Sequence, residues 1–492
     1  MSERYDLCVI GSGPAGEKGA AQAAFYGKSV CVIERAPRPG GTAVNSGALP
    51  SKTLRETALL FHQLRRRGVT GVDWRIRPDS SIGDFMRRER AVIDSAWHAI
   101  DQNLERHGVT RIRGTARFVD PDTVEVTHPG EPPRRIAAEA FLVATGSRPY
   151  RPAETPFDGR VVLDVEAILD LQTPPPRLIV IGGGATGCEF AATFAALGAK
   201  VTLVTDRARL LMQLDADVSD AVRRELTSRL GVQTATEAAI TGIRVSGDIA
   251  TVTLSDGRTL HAECVLHCAA REGRTADLDL PAAGIVTSAQ GFIHVDHATF
   301  RTSNPRVVAA GDVCGFPALA SLAMEQARVA VCQAFGLPFK TAVSSVVPTA
   351  IWAIPEVATV GLNEEEARRQ GIRVERGLAY YRDNPRGQIV GELDGFVKLL
   401  FRTDDKRLVG ATVMGEGASE LIHIPAAVIG LGGTLDYFIG AVFNYPAMAD
   451  AFKYAAYDGL QRLARRVSAA MEARARNTPS GGSLTVSPPD RD

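Results

Sequence analysis

Two six-residue glycine patterns restrict this chain more than any other feature. Gly11-Ser12-Gly13-Pro14-Ala15-Gly16 follows the apolar run Tyr5 to Ile10, opens an Ala-rich segment, and leads to a second apolar run, Ser29 to Glu34. The same order returns with Leu178 to Ile181, Gly182-Gly183-Gly184-Ala185-Thr186-Gly187, the segment Cys188 to Leu197, and Val201 to Val204. Strand, glycine turn, helix and strand in that order form a dinucleotide-binding unit. The first glycine permits the tight turn, the second lets a diphosphate approach the backbone, and the third lets helix and strand pack closely, so that the helix N-terminus faces the phosphates. Phe141 to Ala144 with Thr145-Gly146 closes the first copy, and Cys264 to Cys268 with Ala269-Ala270-Arg271 occupies the matching place in the second. Two such sites in one chain point to electron transfer between two dinucleotides.

The ends of the second strands differ, and the difference bears on the ligands. Glu34 ends the first copy's strand, where a carboxylate can accept both hydroxyls of a ribose. The second copy reads Thr205-Asp206-Arg207-Ala208-Arg209. Thr205 removes the usual repulsion of an extra phosphate, Asp206 restores some negative charge, and Arg207 and Arg209 can bind a phosphate in bidentate fashion, so this site reads as one that tolerates both NAD and NADP. The plain alternative is that both arginines are solvated surface charge.

Composition narrows the class further. A chain of 492 residues has length for about three domains. Its 56 basic and 56 acidic residues cancel, which leaves no bulk charge for nucleic acid or an anionic membrane. The N-terminus has no basic region followed by an apolar core, and the most apolar stretch, Ile424 to Gly433, is too short to span a bilayer, so a cytoplasmic protein with no membrane partner is expected. Seven scattered cysteines fit neither a disulfide framework nor a zinc site. Cys264 and Cys268, placed on one face of a strand with His267 opposite, are read as structural, and no metal is expected. His294 and His297 are read as sheet-edge polar residues, and His423 as a structural or interface histidine.

Five further motifs make a specific resemblance: Gly40-Gly41-Thr42 with Leu49-Pro50-Ser51-Lys52, the run ending at Glu189, Ala310-Gly311-Asp312-Val313, Val347 to Glu356, and Phe443-Asn444-Tyr445-Pro446. With them the chain resembles the flavoprotein disulfide reductases, and among those the soluble pyridine nucleotide transhydrogenases, from about Tyr5 to about Leu463. The resemblance implies an α/β fold with two Rossmann-like domains, the first holding FAD and the second NAD or NADP, and a C-terminal α+β dimerisation domain that makes a homodimer. It implies a discontinuous FAD domain (1–150 and 282–345) around a nicotinamide domain (151–281), then the dimerisation domain (346–466) and a helix end with a disordered tail (467–492). It also implies FAD contacts from Gly41, Thr42, Thr145, Gly146, Gly311 and Asp312, with Lys52 beside the reducible ring and paired with Glu189.

Three departures from that family shape the functional expectation. The two redox-active cysteines are replaced by Ala43 and Ala48, and a methyl group cannot attack a disulfide. The C-terminal His-Glu relay reads Tyr445 and Asp450, and a phenol, with an ordinary pKa of about 10, is a poor base at neutral pH. Ala270 stands where a glycine usually approaches the nicotinamide cofactor. The expected activity is therefore FAD-dependent hydride transfer between NADPH and NAD, without disulfide chemistry, in which Lys52, Glu189 and Tyr445 are the candidate catalytic positions. A quinone or dye reductase, or a binding protein without turnover, are the alternatives. Trp74 and Asp84 to Glu105 are expected to form outer helices of the FAD domain.

Overall fold

The computed structural model describes residues 3–67 and 82–477. Trp74 and the tail from Thr478 onward therefore lie outside the described residues. The chain divides into two compact units, Met1–Pro355 and Glu356–Asp492.

The first unit opens with β1 (Glu3–Ile10), α1 (Pro14–Phe25), β2 (Val30–Glu34), α2 (Gly41–Asn45), α3 (Ala48–Arg67), α4 (Ile82–Phe85) and α5 (Arg87–Arg106). Next come β3 (Thr110–Arg113), a meander of β4 (Thr115–Asp120), β5 (Thr123–Thr127) and β6 (Arg134–Val143), and then β7 (Ser147–Pro149) and β8 (Val162–Asp164). The second glycine pattern lies between β9 (Arg177–Ile181) and α6 (Ala185–Ala196). After it come β10 (Lys200–Val204), α7 (Ala216–Ser228), β11 (Gln233–Ala235), β12 (Ile240–Ser246), β13 (Ile249–Leu254), β14 (Thr259–Ala262), β15 (Cys264–His267) and β16 (Arg271–Gly273). The unit ends with β17 (Val307–Ala309), α8 (Ala320–Phe335) and β18 (Thr349–Ile351).

The two sheets are built alike. In the first, parallel strands run in the order β3-β2-β1-β6-β17; in the second, the order is β11-β10-β9-β15-β8. The first sheet continues into the antiparallel meander β4-β5-β6, whereas β12-β13-β14 forms a separate three-stranded antiparallel sheet beside the second. β17 returns to the first sheet only after the second sheet is complete, so the first domain is discontinuous. The central strands are covered on both faces, and they read as unbroken apolar runs for that reason. Leu7, Cys8 and Val9 of β1, and Val180 and Ile179 of β9, are buried. Helix α1 seats on this sheet through small residues, since a Cβ at Gly19 would strike Leu142 Cδ2 at 2.4 Å and would stand 3.4 Å from Ala327 of α8.

Two strand readings need correction. β15 stops at His267, so Cys268 lies one residue beyond the strand, its N–H bonded to Ile181 O at 3.0 Å; His267 is itself buried, edge-on to the Phe157 ring. The segment around His294 and His297 is not a strand: only the bridge Thr287–Ile293 forms there, and both histidines are exposed. Apolar and polar residues alternate in Ile293 to Asp296, but the backbone bonds of this segment go elsewhere, Ile293 N–H to Val313 O for example.

The second unit has the antiparallel strands Val357–Gly361, Leu408–Met414, Phe396–Arg402 and Val374–Tyr380, neighbours in that order, and the long helix Ala451–Asn477. His423 opens the helix His423–Gly430 with its side chain exposed, and among the described residues no helix is long and apolar enough to cross a membrane.

Candidate functional site

The site is built where the two glycine turns meet the ends of the central strands. Gly11 takes φ +100°, and a Cβ there would lie 2.5 Å from the Ala144 carbonyl oxygen at the end of β6. Gly16, in the first turn of α1, is packed closer still, its Cβ position being 1.8 Å from Gly11 O. The N-cap Gly13 supplies no side-chain acceptor and Pro14 lacks an N–H, which leaves the remaining first-turn donors to a ligand. The Gly40-Gly41 turn lies against Gly13, with a Cβ at Gly41 reaching 3.0 Å from Gly13 Cα. Asn45 pins that turn by donating to Pro39 O (3.0 Å) and Gly41 O (2.9 Å), and Trp97 of α5 donates to Asn45 Oδ1 (2.8 Å).

Glu34 ends β2 as expected, but its carboxylate is already engaged. Oε2 accepts the Ser12 N–H (2.9 Å) and hydroxyl (2.7 Å), and Oε1 accepts the Ala36 N–H (2.8 Å). Three of its roughly four acceptor positions are used within the protein, which narrows the expectation that it receives both ribose hydroxyls. On the opposite wall, Ser147 donates to Asp312 Oδ2 (2.9 Å) and accepts from Arg271 Nε (2.7 Å). Gly311, just before Asp312, is fixed by Gln326 Oε1 at 2.9 Å. Thr145 Oγ1 is buried without a partner.

Lys52, in the second turn of α3, donates to Glu189 Oε2 at 2.7 Å, and Glu189 Oε1 accepts the Trp352 N–H at 2.8 Å. A cation beside the first dinucleotide unit is thus held by a carboxylate from the helix of the second, which is held in turn by backbone. Both side chains are only partly exposed.

A single cavity of about 810 Å³ is lined by Gly11, Gly13, Glu34, Gly41, Thr42, Lys52, Thr145, Gly146, Gly184, Glu189, Gly311 and Asp312, together with Ala43, Ala48, Cys268 and Ala270. Its size falls within the ~300–1,000 Å³ of small-molecule sites. The other expected residues lie off its wall. Gly16, Gly182 and Gly187 form the packing beneath the turns, a Cβ at Gly187 being 1.7 Å from Gly182 O. Thr205 is buried against Gly183, and its hydroxyl accepts the Arg207 N–H at 3.2 Å. Arg207 is exposed, 3.5 Å from Asp206, whereas Arg209 turns inward and donates to Leu214 O at 3.2 Å. Tyr445 belongs to the second unit and is exposed, and Asp450 ends the short turn Met448–Asp450 there.

These features fit a dinucleotide: uncapped first-turn donors suit a diphosphate, the carboxylates Glu34 and Asp312 suit hydroxyls, and Thr145 Oγ1 awaits a partner. The fit covers FAD in the first copy and a nicotinamide cofactor in the second, where Gly184 is an uncapped N-cap with nothing within 4 Å of a Cβ. The cysteines are all unpaired thiols, and burial pushes Cys264, Cys268 and Cys314 up to about 12 and Cys188 higher.

Sequence reasoning passed over Ser12, Ser147, Asn45 and Arg274. Ser12 and Ser147 each follow a glycine at a strand end, so their position beside an expected carboxylate was a usable signal. Nothing local distinguished Asn45 or Arg274.

Comparison with known proteins agrees with this architecture. Residues 5–334 match the pyridine nucleotide-disulphide oxidoreductase family, and residues 347–456 match its dimerisation domain. A soluble pyridine nucleotide transhydrogenase of Mycobacterium bovis is 40% identical over 93% of this chain and 98% of its own. One of Colwellia psychrerythraea is 36% identical over 93% and 98%. Among solved structures, LpdA of Mycobacterium tuberculosis superposes with a TM-score of 0.84 at 28% identity, covering 92% of this chain and 99% of that one. The HOCl-induced flavoprotein disulfide reductase RclA of Escherichia coli, in its Cu(II) complex, gives 0.83 at 25% identity, covering 93% and 99%. With its glycine turns, discontinuous first domain and C-terminal domain all in matching order, the chain belongs to the pyridine nucleotide-disulphide oxidoreductase family.

Proposed function

We propose that the protein is a cytoplasmic, homodimeric FAD-dependent enzyme that moves hydride from NADPH to NAD⁺ without disulfide chemistry. The observation that carries the reading is the Lys52–Glu189 pair, which joins the two dinucleotide units at one cavity whose wall carries Ala43 and Ala48. The glycine turn at Gly11–Gly16, Glu34, Thr145 and Asp312 would hold FAD, and the α6 N-terminus with Gly184 would hold the nicotinamide cofactor. Bound FAD supplies a ring that takes up a hydride equivalent and gives it back. Lys52 supplies positive charge where negative charge develops, and Glu189 with the Trp352 N–H keeps that ammonium in place. Alanine side chains at 43 and 48 offer no nucleophile, and burial raises the thiols of Cys8, Cys188, Cys264, Cys268, Cys314 and Cys332, which disfavours the attacking thiolate at neutral pH. Tyr445 would not act as a relay base in this reaction.

The 2′-phosphate of NADP is assigned to Arg207, whose guanidinium is exposed, whereas Arg209 is partly buried and donates to Leu214 O. Arg207→Ala should raise the KM for NADPH about tenfold and leave that for NADH within about twofold, as expected for the loss of one charge-assisted contact. The reading itself is tested by a steady-state exchange from NADPH to an oxidised NAD analogue, before and after alkylation with iodoacetamide at pH 8. Exchange that survives alkylation, with no turnover of lipoamide or glutathione disulfide, is the expected result. Disulfide turnover that alkylation abolishes contradicts it.

A further inference from the structure

Lys52 is not the only cation that α3 brings to the segment after β18. Arg55 lies one helical turn further along, with its side chain only 6% exposed. Its Nη2 donates to Ala353 O at 3.1 Å, and the guanidinium carbon stands 5.8 Å from the centre of the Trp352 ring, within reach of a cation–π contact. Nη1 donates to Glu56 Oε1 at 2.6 Å, but Glu56 is the next residue of the same helix and is half exposed, so this pair ties α3 to nothing else. Nε is buried without a partner. An unpaired buried N–H costs folding stability, and a cation whose carboxylate stays in solvent recovers little of its desolvation. Departures of this kind from local consistency collect at functional sites.

What Arg55 grips is the segment that grips Glu189. Trp352 N–H donates to Glu189 Oε1 at 2.8 Å, and Glu189 Oε2 accepts from Lys52 Nζ at 2.7 Å. The contacts close a ring that runs from Lys52 to Glu189, to Trp352 and Ala353, to Arg55, and back along one turn of α3. Trp352 is thus held by α6 at its N–H, and by α3 at its ring and at the carbonyl of the fully buried residue that follows. We infer that Arg55 is a positioning residue for Lys52: by fixing Trp352 and Ala353 it aims the Trp352 N–H at Glu189, and Glu189 in turn sets where the Lys52 ammonium stands against bound flavin. This role rests on the flavin chemistry proposed above and adds to it a side chain that does not line the cavity.

The test is a double-mutant cycle on the FAD-loaded, full-length protein with two readouts. One is the anaerobic rate of flavin reduction by NADPH. The other is the two-electron midpoint potential of the flavin, titrated with dithionite against a reference dye. Arg55→Met should slow reduction about tenfold, as for the misplacement of a reacting group rather than its removal. It should also lower the midpoint potential, because the anionic reduced flavin loses a well-placed cation. In the Lys52→Met background the same substitution should change the rate less than about twofold and leave the potential where Lys52→Met alone puts it, since residues acting through one group are not additive. Should Arg55→Met fail to fold, Arg55→Gln, which removes the cation and keeps a donor, carries the same cycle. A loss that persists at full size in Lys52→Met means that the guanidinium acts by its own field or by packing, and overturns the inference; so does a wild-type rate and potential in Arg55→Met. Wild-type flavin that NADPH does not reduce overturns instead the function proposed above, and the potential still decides the role of Arg55, because that titration uses no nicotinamide.

Discussion

Gly16→Ala should give a protein that purifies without flavin, and Gly187→Ala one that keeps its flavin and no longer exchanges hydride with either nicotinamide cofactor. In both cases the added carbon meets a backbone carbonyl, 1.8 Å away at Gly11 O and 1.7 Å away at Gly182 O. These separations are far inside van der Waals contact, and a carbonyl at the end of a central strand cannot swing aside as a side-chain tip can. The helix must lift from the sheet, and the cost exceeds the ~1–3 kcal/mol of ordinary overpacking. Against a total folding stability of ~5–15 kcal/mol, that disorders the turn before it unfolds the chain. The other two glycines supply the contrast. A Cβ at Gly13 would find its nearest neighbour at 3.8 Å, and one at Gly184 nothing within 4 Å. Alanine at these positions should leave thermal stability within a few degrees, so any loss of binding there reports the ligand itself. Flavin content after gel filtration, melting temperature and nicotinamide titration separate the four variants. Flavin retained at the wild-type level in Gly16→Ala would show that the turn tolerates the shift.

The second large effect is expected at the pair between the two dinucleotide units. Lys52→Met should slow the reduction of bound flavin by NADPH about 10²- to 10³-fold, the scale for removing one preorganised electrostatic group. Glu189→Gln keeps the cation, and its amide oxygen can still accept from Trp352 N–H, so the loss there should be about tenfold. Both variants should melt close to the wild type, because a partly exposed ion pair contributes only ~1 kcal/mol or less to folding. The order of the two effects is the informative part. A Glu189→Gln defect larger than that of Lys52→Met would mean that the carboxylate contributes directly and not by holding the lysine.

Much of this architecture was legible before any coordinates, and the reason is burial. β1, β2, β9 and β10 are covered on both faces, so each stands out as a short apolar run, and the glycines between them sit where any side chain would strike backbone. Lys52 and Glu189 were paired by resemblance alone, since nothing local in sequence brings α3 to α6. Other features were hidden for physical reasons. β8 and β17 are three-residue edge strands with no period to detect, although each completes a sheet. β15 ends one residue before Cys268 because the chain must turn toward the second glycine pattern, and a cysteine spacing cannot reveal that. Glu34 was placed correctly, but its hydrogen bonds to Ser12 are made across a turn. Arg209 looked like a partner of Arg207 until its guanidinium proved to be turned toward Leu214.

The most direct test of hydride passage between two nicotinamide cofactors is anaerobic stopped-flow mixing of the FAD-loaded protein with NADPH and then with NAD⁺, following flavin absorbance. Loss of the flavin band on NADPH addition and its return on NAD⁺ addition is the predicted result. A band that NADPH bleaches and only a quinone restores, or one that NADPH does not bleach, would contradict it.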